Sequence, residues 1–419
     1  MHLLTRRRLF YGWYIVAASV AMNAYITVVF GLGFNVFFLP ILKEFGWSRA
    51  VTSGAFSLRS LESGLLAPVI GFLVDRWGPR SVILIGVILV GAGMIMMAYM
   101  NSLWTFYAAF LITSLGASGS GHGVSWVVSV AKWFNRLRGR ALGIAMLGPV
   151  FGGPLLFTIA IIEGHIGWRI STLILGIGVW VIGIPLSLVV RTDPASYGYL
   201  PDNAKPNNNQ DSIHYNKIED TNGMSVSEAI MTSDFWILSI LFALMFLGIS
   251  GLMVHLIPLL EDLHYGSTEA ASMLGLMFLL SGIGRIITGF VVDLIDYRVV
   301  LTCLVGFQLL GLFILLYITP SSTFYIILFT LTFGIGFGGT IPLRPFVIMQ
   351  IFGSKSFGSL QGLLQMGAIG AGVVGPIFYG WIFDLTASYN IAIYATIFTI
   401  IMTIPLIIKL NDPKASQTT

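Results

Sequence analysis

Apolar runs of about 20 residues recur along almost the whole chain, and they constrain the fold more than any other feature. A helix needs about 20 apolar residues to cross the hydrocarbon core of a bilayer, which is roughly 30 Å thick. Of the 419 residues, 56% are hydrophobic and 10% are charged, whereas soluble domains carry about 25% charged residues. The sequence therefore predicts an all-α membrane protein.

The apolar runs number twelve and divide the chain into two sets of six. We predict membrane spans at residues 12–39, 50–74, 81–99, 103–131, 140–163, 168–190, 234–260, 269–292, 299–318, 323–348, 357–383 and 390–408. The first run is too long for the core of a signal peptide, so we interpret it as a span. The predicted organisation is an N-terminal six-helix half (1–190), a cytoplasmic linker (191–233), a C-terminal six-helix half (234–408) and a cytoplasmic tail (409–419).

The linker is the only long polar stretch, and most of it shows little apolar periodicity. Its end differs, because Ser225 and Glu228 have the spacing of a capping box, in which each side chain binds a backbone N–H of the first helical turn. We predict a short helix there, lying along the membrane before the seventh span.

Basic residues predict the orientation of the chain, because cytoplasmic loops carry an excess of Lys and Arg. Lys43, Arg49 and Arg169 fall on one side. The larger basic set falls on the other side, and we assign to it Arg6, Arg7, Arg8, Arg76, Arg80, Lys132, Arg136, Arg138, Arg140, Arg191, Lys205, Lys217, Arg298, Arg344, Lys355, Lys409 and Lys414. This side, with both termini, is predicted to be cytoplasmic in a plasma membrane, with a bacterial inner membrane favoured. The net charge of +4 then reflects topology and predicts no nucleic-acid partner.

The two halves repeat each other in sequence. Three residues of the first half, Gly71, Asp75 and Arg80, recur 218 positions later as Gly289, Asp293 and Arg298. Three glycines recur 219 positions later: Gly139, Gly143 and Gly148 match Gly358, Gly362 and Gly367. A repeat at near-constant offset predicts a pseudo-two-fold axis along the membrane normal, with a cavity between the halves.

The loop after the second span carries the most specific motif. It reads Gly71-Phe72-Leu73-Val74-Asp75-Arg76-Trp77-Gly78-Pro79-Arg80, and it resembles the signature loop of the major facilitator superfamily. Glycine permits close helix approach, and an aspartate can bind the N-terminus of a neighbouring helix. The resemblance implies that these residues gate one side of the cavity; the gating candidates are Gly71, Asp75, Arg76, Arg80, Asp293 and Arg298. It also implies a protein that functions as a monomer.

Further segments resemble the monocarboxylate transporters and their prokaryotic relatives, which include oxalate–formate exchangers. These segments are Tyr11-Gly12-Trp13, Ala131-Lys132-Trp133-Phe134, Arg136-Leu137-Arg138-Gly139, Ile351-Phe352-Gly353-Ser354-Lys355-Ser356-Phe357-Gly358 and Ser281-Gly282-Ile283-Gly284-Arg285. The resemblance implies that Arg285 binds substrate, with Ser281 one turn before it where relatives carry an acid or an amide. Oxalate exchangers add a cation in the eleventh span, but residues 357–383 contain no Lys or Arg. A monoanion is therefore favoured over a dicarboxylate.

Ionisable residues inside predicted spans are costly and need a function or a partner. Arg285 suits a bidentate grip on a carboxylate, and the alternative is a structural arginine at the interface of the halves. Arg59 and Glu62 lie three residues apart on one helix face. They can form an ion pair that serves packing, which is the slightly favoured interpretation, or Glu62 can carry a proton.

Two histidines and one acid complete the candidates. His122 and His255 lie inside spans, where imidazole can relay protons or bind substrate near neutral pH. For His122 a hydrogen-bonded packing role is favoured, and for His255 the two interpretations are balanced. Asp262, at the outer mouth, can receive protons or simply face water, as loop acids usually do.

The sequence contains no Walker-type phosphate loop and no His/Cys cluster with metal-ligand spacing. We therefore predict no enzymatic activity, no cofactor and no metal, with energy supplied by gradients. The leading hypothesis is symport of protons with a small monocarboxylate of the lactate, pyruvate and formate class, by alternating access. The rivals are exchange of organic anions, efflux of larger amphipathic compounds, and a membrane sensor that moves nothing.

Overall fold

The computed structural model describes residues 10–47, 49–121, 123–203, 223–319 and 323–410, and it is helical apart from turns and one isolated backbone bridge, between Gly223 and Gly353. In these ranges nine helices are long and apolar enough to cross a membrane. The other three predicted spans, the second, fourth and fifth, are also helical. Each predicted span thus corresponds to a helix or to helices in series, and the all-α prediction is confirmed.

The spans of the first half are as follows. Span 1 comprises Tyr11–Ile26, Thr27–Leu32 and Gly33–Phe45; span 2 is Arg49–Trp77; span 3 is Pro79–Ala98; span 4 comprises Leu103–Ser120 and Val124–Trp133; span 5 comprises Arg138–Ala145, Gly148–Phe151 and Gly152–Ile166; span 6 is Trp168–Val189. The spans of the second half are mostly single helices. Span 7 is Ser233–Asp262; span 8 is Ser267–Val292; span 9 is Tyr297–Leu315; span 10 is Thr323–Phe352; span 11 is Phe357–Thr386; span 12 comprises Asn390–Ile401 and Thr403–Lys409.

Several spans are interrupted or change their helical form along their length. Span 1 widens into a π-helix at Thr27–Leu32, a form that often marks functional positions. The two helices of span 4 end at Ser120 and begin at Val124. Span 5 tightens into a 3-10 turn at Gly148–Phe151, because Pro149 lacks the N–H that a continuous helix needs. A Cβ at Gly148 would lie 2.5 Å from the Cβ of Asn23 in span 1, so the glycine permits this close crossing.

Within each half, small residues bring helix backbones together, as in other membrane bundles. In the first half, span 3 packs on spans 4 and 6; in the second, span 10 packs on spans 8 and 9, and span 7 on span 11. Gly86 of span 3 faces Gly116 of span 4, where an added Cβ would lie 2.6 Å from the Gly116 carbonyl oxygen. Contacts between the halves run mainly through two span pairs, 2 with 11 and 5 with 8.

The described parts of the linker are anchored to both halves. Asp202 accepts hydrogen bonds from the backbone N–H groups of Asn135, Arg136 and Leu137 in the turn before span 5. At the other end, the Met224 N–H donates to the Phe352 carbonyl at 2.9 Å. The predicted short helix is confirmed at Val226–Ile230, where Ser225 and Glu228 form both bonds of the capping box.

Candidate functional site

The two halves meet at the end of the bundle where most loop cations lie, which we call the basic end. Here Asp75, at the end of span 2, accepts hydrogen bonds from the backbone N–H groups of Gly358 at 3.0 Å and Ser359 at 2.8 Å, and from the Ser359 hydroxyl at 2.6 Å. These groups belong to the first turn of span 11, whose N–H groups lack partners inside the helix. The carboxylate thus caps a helix of the other half.

Asp293 makes the equivalent contact in the reverse direction. It accepts from the backbone N–H groups of Gly139 at 2.7 Å and Arg140 at 3.1 Å, in the first turn of span 5. The Arg140 Nε lies 3.5 Å from the same carboxylate. Burial raises the pKa of Asp293, while the two N–H groups and Arg140 act against that rise.

Paired glycines make both contacts close enough to form. A Cβ at Gly289 would lie 2.6 Å from the Gly139 carbonyl oxygen, and a Cβ at Gly358 would lie 2.7 Å from the Gly71 carbonyl oxygen. The repeat detected in the sequence therefore corresponds to two equivalent contacts between the halves.

The remaining gating candidates take no part in these caps. Arg298 pairs with Asp296 in its own half, with 2.9 Å between Nη2 and Oδ2, and donates to the Leu410 carbonyl. Arg76 is exposed and Arg80 is partly buried. The gating roles of these three arginines stay predictions.

Close approaches between the halves continue beyond the caps. An added Cβ would lie 3.0 Å from the Ile369 side chain at Gly64 and 3.1 Å from the Val150 side chain at Gly282. The structure is thus closed at the basic end.

A cavity of about 270 Å³ lies between the halves, bounded by spans 4, 5, 7, 10 and 11. Its wall is largely apolar, and it includes Phe242, Met245, Phe246, Ile249, Phe337 and Ile341. The polar side chains among its described lining residues are Thr340, Arg344, Gln361 and Gln365. We call this space the Arg344 compartment.

The sequence analysis counted Arg344 with the basic side of the chain, although it falls inside the predicted span at residues 323–348. It lies within span 10, eight residues before the helix ends at Phe352. Its Nη2 donates to the Gln365 Oε1 at 3.3 Å, and its Nε is buried without a hydrogen-bond partner among the described residues. Span 11 still contains no Lys or Arg, so the argument from that span against a dicarboxylate is unchanged, while Arg344 adds an intramembrane cation from span 10.

Arg285 is buried at the closure between the halves, with 5% of its surface exposed. Its Nη1 donates to the backbone carbonyl of Met146 in span 5, and its Nε has no partner among the described residues. Arg285 is not among the described residues that line the Arg344 compartment, although Met146 is. In this conformation Arg285 joins the halves, and its predicted contact with substrate stays a prediction.

Ser281 and His255 are engaged inside the second half. The buried Ser281 hydroxyl donates to the Phe278 carbonyl of its own helix at 2.6 Å, and its backbone packs against Gly338. The two His255 ring nitrogens lie 3.2 Å from the Tyr389 hydroxyl and 3.0 Å from the Pro376 carbonyl. His255 thereby ties span 7 to spans 11 and 12, as its packing interpretation predicts.

Arg59 lines a second space, of about 90 Å³, that we call the Arg59 compartment, and Glu62 lies one helical turn after Arg59 in span 2. This compartment is lined from spans 1, 2, 4 and 11, and it shares Gly123 and Gln365 with the Arg344 compartment. The predicted direct ion pair is absent from the described salt bridges: the Arg59 guanidinium lies over the Phe30 ring, 4.6 Å from its centroid. Both Glu62 carboxylate oxygens are buried without a hydrogen bond of normal geometry to a described group.

The last two candidate site residues are Asp262 and His122. Asp262 is exposed at the end of span 7, where its charge acts on Tyr389, in line with an acid that faces water. His122 lies outside the described residues.

Comparison with known proteins identifies the architecture. The family model described as Major Facilitator Superfamily matches residues 16–343 and 238–419. The chain belongs to the major facilitator superfamily. Among solved structures, a proton:xylose symporter, XylE, superposes with a TM-score of 0.75 at 12% identity, covering 96% of both chains. The human organic anion transporter MFSD10 superposes with a TM-score of 0.69 at 15% identity, covering 94% of this chain and 98% of that one. These likenesses confirm the fold.

The relatives found by sequence include monocarboxylate transporters. The uncharacterized MFS-type transporter YcxA of Bacillus subtilis (strain 168) is 26% identical over 407 residues, covering 94% of this chain and 96% of YcxA. Monocarboxylate transporter 12 of Rattus norvegicus is 25% identical, covering 96% and 90% of the two chains, and monocarboxylate transporter 4 of the same species is 25% identical, covering 91% and 79%. The protein is thus a membrane transporter of the major facilitator superfamily, related to monocarboxylate transporters, and not an enzyme.

One sequence signal could have located Arg344 in the transporter's cavity. The sequence reads Gly338-Gly339-Thr340-Ile341-Pro342-Leu343-Arg344-Pro345, and apolar residues continue to Met349. An arginine followed by another apolar turn lies within a span rather than after it. Pro342 and Pro345 do not end the helix, which continues through both of them.

Proposed function

We propose that this chain is a plasma-membrane transporter that moves a small monocarboxylate together with a proton, by alternating access of a site between its halves. The observation that carries the proposal is the Arg344 compartment. Its described walls are mostly apolar and present Arg344 as their one charged group. A guanidinium in such surroundings is not neutralised by the protein and favours an anionic ligand, because burying an unpaired charge is costly.

The apolar wall supports a small ligand with a hydrocarbon end. Gln361 and Gln365 lie beside the cation, and their amides can bind a second acceptor such as a 2-keto or 2-hydroxy oxygen. The names of the mammalian relatives, monocarboxylate transporters, agree with this chemistry.

The basic end is proposed to face the cytoplasm. The structure would then represent a state closed to the cytoplasm by the caps of Asp75 and Asp293. Arg285 holds the closed interface through the Met146 carbonyl. Opening of the basic end breaks that bond, and the freed Arg285 guanidinium can then bind the anion. Arg285 thus keeps its predicted role in substrate binding.

The test is uptake of labelled lactate, pyruvate, formate and acetate into proteoliposomes with an inward proton gradient. Arg344→Gln and Arg285→Gln are compared with Arg136→Gln, a change of an exposed loop arginine. We expect gradient-driven uptake of at least one acid by the wild type and by Arg136→Gln. We expect the loss of uptake in Arg344→Gln.

Two results would contradict the proposal. Folded wild-type protein that shows neither uptake nor counterflow of the four acids would reject the monocarboxylate class and direct the search to exchanged or larger organic anions. Normal uptake by Arg344→Gln would remove the Arg344 compartment as the anion site.

A further inference from the structure

We propose that Arg59 and Glu62 of span 2 form the proton site of the transporter, and that protonation of Glu62 frees the Arg59 charge to attract the anion. This inference rests on the proposed function for its substrate. It assigns proton coupling to the first half, whereas Arg344 and Arg285 both lie in the second half.

The first argument is the state of the Glu62 carboxylate. Its oxygens are buried and form no hydrogen bond of normal geometry with a described residue, and the groups that act on it are the Ser114 hydroxyl and the Arg59 charge. An ionised carboxylate without partners is costly away from water. The geometry therefore suits a neutral carboxylic acid at Glu62 in this conformation.

The second argument is the state of Arg59. Its guanidinium rests on the face of Phe30 in the π-helix of span 1, not on the carboxylate three residues away. A cation on an aromatic face is held weakly, by about 0.5–2 kcal/mol, and keeps its charge available. When Glu62 is ionised, its position one turn along the helix allows it to neutralise Arg59.

The third argument is the connection to the anion site. The Arg59 and Arg344 compartments share Gly123 and Gln365, and the Gln365 Oε1 accepts from Arg344. The two guanidiniums therefore face neighbouring parts of one space between the halves. When Glu62 is protonated, the charges of both Arg59 and Arg344 attract an anion in this space. When Glu62 is ionised it neutralises Arg59, and only Arg344 attracts the anion.

Binding of the proton and binding of the anion then favour each other, as thermodynamic linkage requires. The proton comes from water in the cavity, adds to a Glu62 oxygen, and leaves after the halves have opened at the basic end. One carboxyl group per site corresponds to one proton per monoanion.

The surroundings of Glu62 offer few competing groups. Arg59 is the charged side chain that acts on it. The adjoining walls present Phe30 from span 1, Ser114 and Ser118 from span 4 and Gln365 from span 11, none of which titrates near neutral pH. His122, predicted in span 4 from the sequence, lies outside the described residues, so the experiment includes it as a competing proton carrier.

The test uses infrared difference spectroscopy of the full chain in lipid, because a protonated carboxylic acid has a carbonyl stretching band that an imidazole lacks. We expect a band that titrates with pH, disappears in Glu62→Gln, and persists in His122→Gln and in Glu261→Gln, a change of an exposed glutamate. We expect pyruvate or lactate to move the midpoint of its titration upward. The absence of this band from the wild type, or its persistence in Glu62→Gln, overturns the proposal.

Transport by the same variants tests the coupling. We expect Glu62→Gln to keep pyruvate or lactate exchange across the bilayer but to lose accumulation driven by the proton gradient. We expect Arg59→Gln to weaken anion binding about tenfold, within the usual range of coupling between sites. Gradient-driven accumulation that is unchanged in Glu62→Gln overturns the proposal. A Glu62 band together with a wild type that moves none of the acids rejects the proposed substrate class and retains the proton site.

Discussion

Asp75 and Asp293 cap equivalent helix N-termini in opposite halves of the molecule. Asp75 binds the first turn of span 11, and Asp293 binds the first turn of span 5. A carboxylate bound to backbone N–H groups at a helix N-terminus gains from charge-assisted hydrogen bonds and from the helix dipole. The same chemistry thus closes both sides of the pseudo-two-fold axis at the basic end.

Removing one of these caps should shift the transporter toward the state that is open at the basic end. Hydrogen bonds to a charged group contribute about 1.5–3 kcal/mol each, so we expect Asp75→Ala or Asp293→Ala to increase the open population about tenfold or more. The measurement is maleimide labelling of a cysteine placed on the cavity wall at Thr340, in a Cys303→Ser background. Asp296→Ala is the control, because Asp296 pairs with Arg298 inside one half. Equal labelling of all variants would show that the caps do not set the closure.

Glycine at the crossing of the halves should be needed for closure. A methyl group at Gly358 would lie 2.7 Å from the Gly71 carbonyl oxygen, so Gly358→Ala must push spans 2 and 11 apart. We expect lower transport and increased access from the basic end, by the same labelling assay. Gly306→Ala is the matched control, since a Cβ at Gly306 meets no atom within 4 Å and alanine favours a helix. Normal transport by Gly358→Ala would contradict the close crossing.

His255 should contribute to stability more than to proton coupling. Its ring bridges the Tyr389 hydroxyl and the Pro376 carbonyl, so His255→Leu leaves both polar groups without that partner. Each unsatisfied buried group costs about 1–3 kcal/mol, and we expect a lower melting temperature in detergent. Tyr394→Phe, at an exposed position, should melt like the wild type. If His255→Leu keeps its melting temperature and loses the pH dependence of uptake instead, the histidine is a proton carrier.

Glu44 should stabilise the first half at the end away from the basic end, and this stabilisation should depend on pH. Its carboxylate accepts from the Arg169 Nη2 at 2.6 Å and from the Trp168 Nε1 at 2.8 Å. The hydrogen bond from Arg169 is the main cause that lowers the pKa of Glu44. A lowered pKa in the folded state means that this stabilisation is present above the unfolded value, about 4.3, and is lost as the pH falls through the folded value.

The measurement for this prediction is the difference in melting temperature between the wild type and Glu44→Gln as a function of pH. We expect the wild type to melt higher at neutral pH and the difference to shrink as the medium becomes acidic. Glu261→Gln, which removes an exposed glutamate, is the control. A difference that grows on acidification would contradict the sign.

Much of the fold and part of the site could be predicted from the sequence. Span positions follow from apolar length, and the cap of the helix at Val226–Ile230 follows from the spacing of Ser225 and Glu228, because both depend on neighbouring residues. The twin caps also follow, because Asp75 and Asp293 recur with their glycines at a constant offset. The break in span 4 was missed, since glycine permits a break without requiring one.

The sequence by itself determined that this chain spans a membrane in two related halves and that ionisable groups lie inside it. Only the tertiary structure decided which of those groups face the central space. Span 10 turns Arg344 toward the cavity, while span 8 turns Arg285 against the Met146 carbonyl. The physical reason is that apolar length places a helix in the bilayer but does not fix its rotation, which is set by how small residues on several helices pack together.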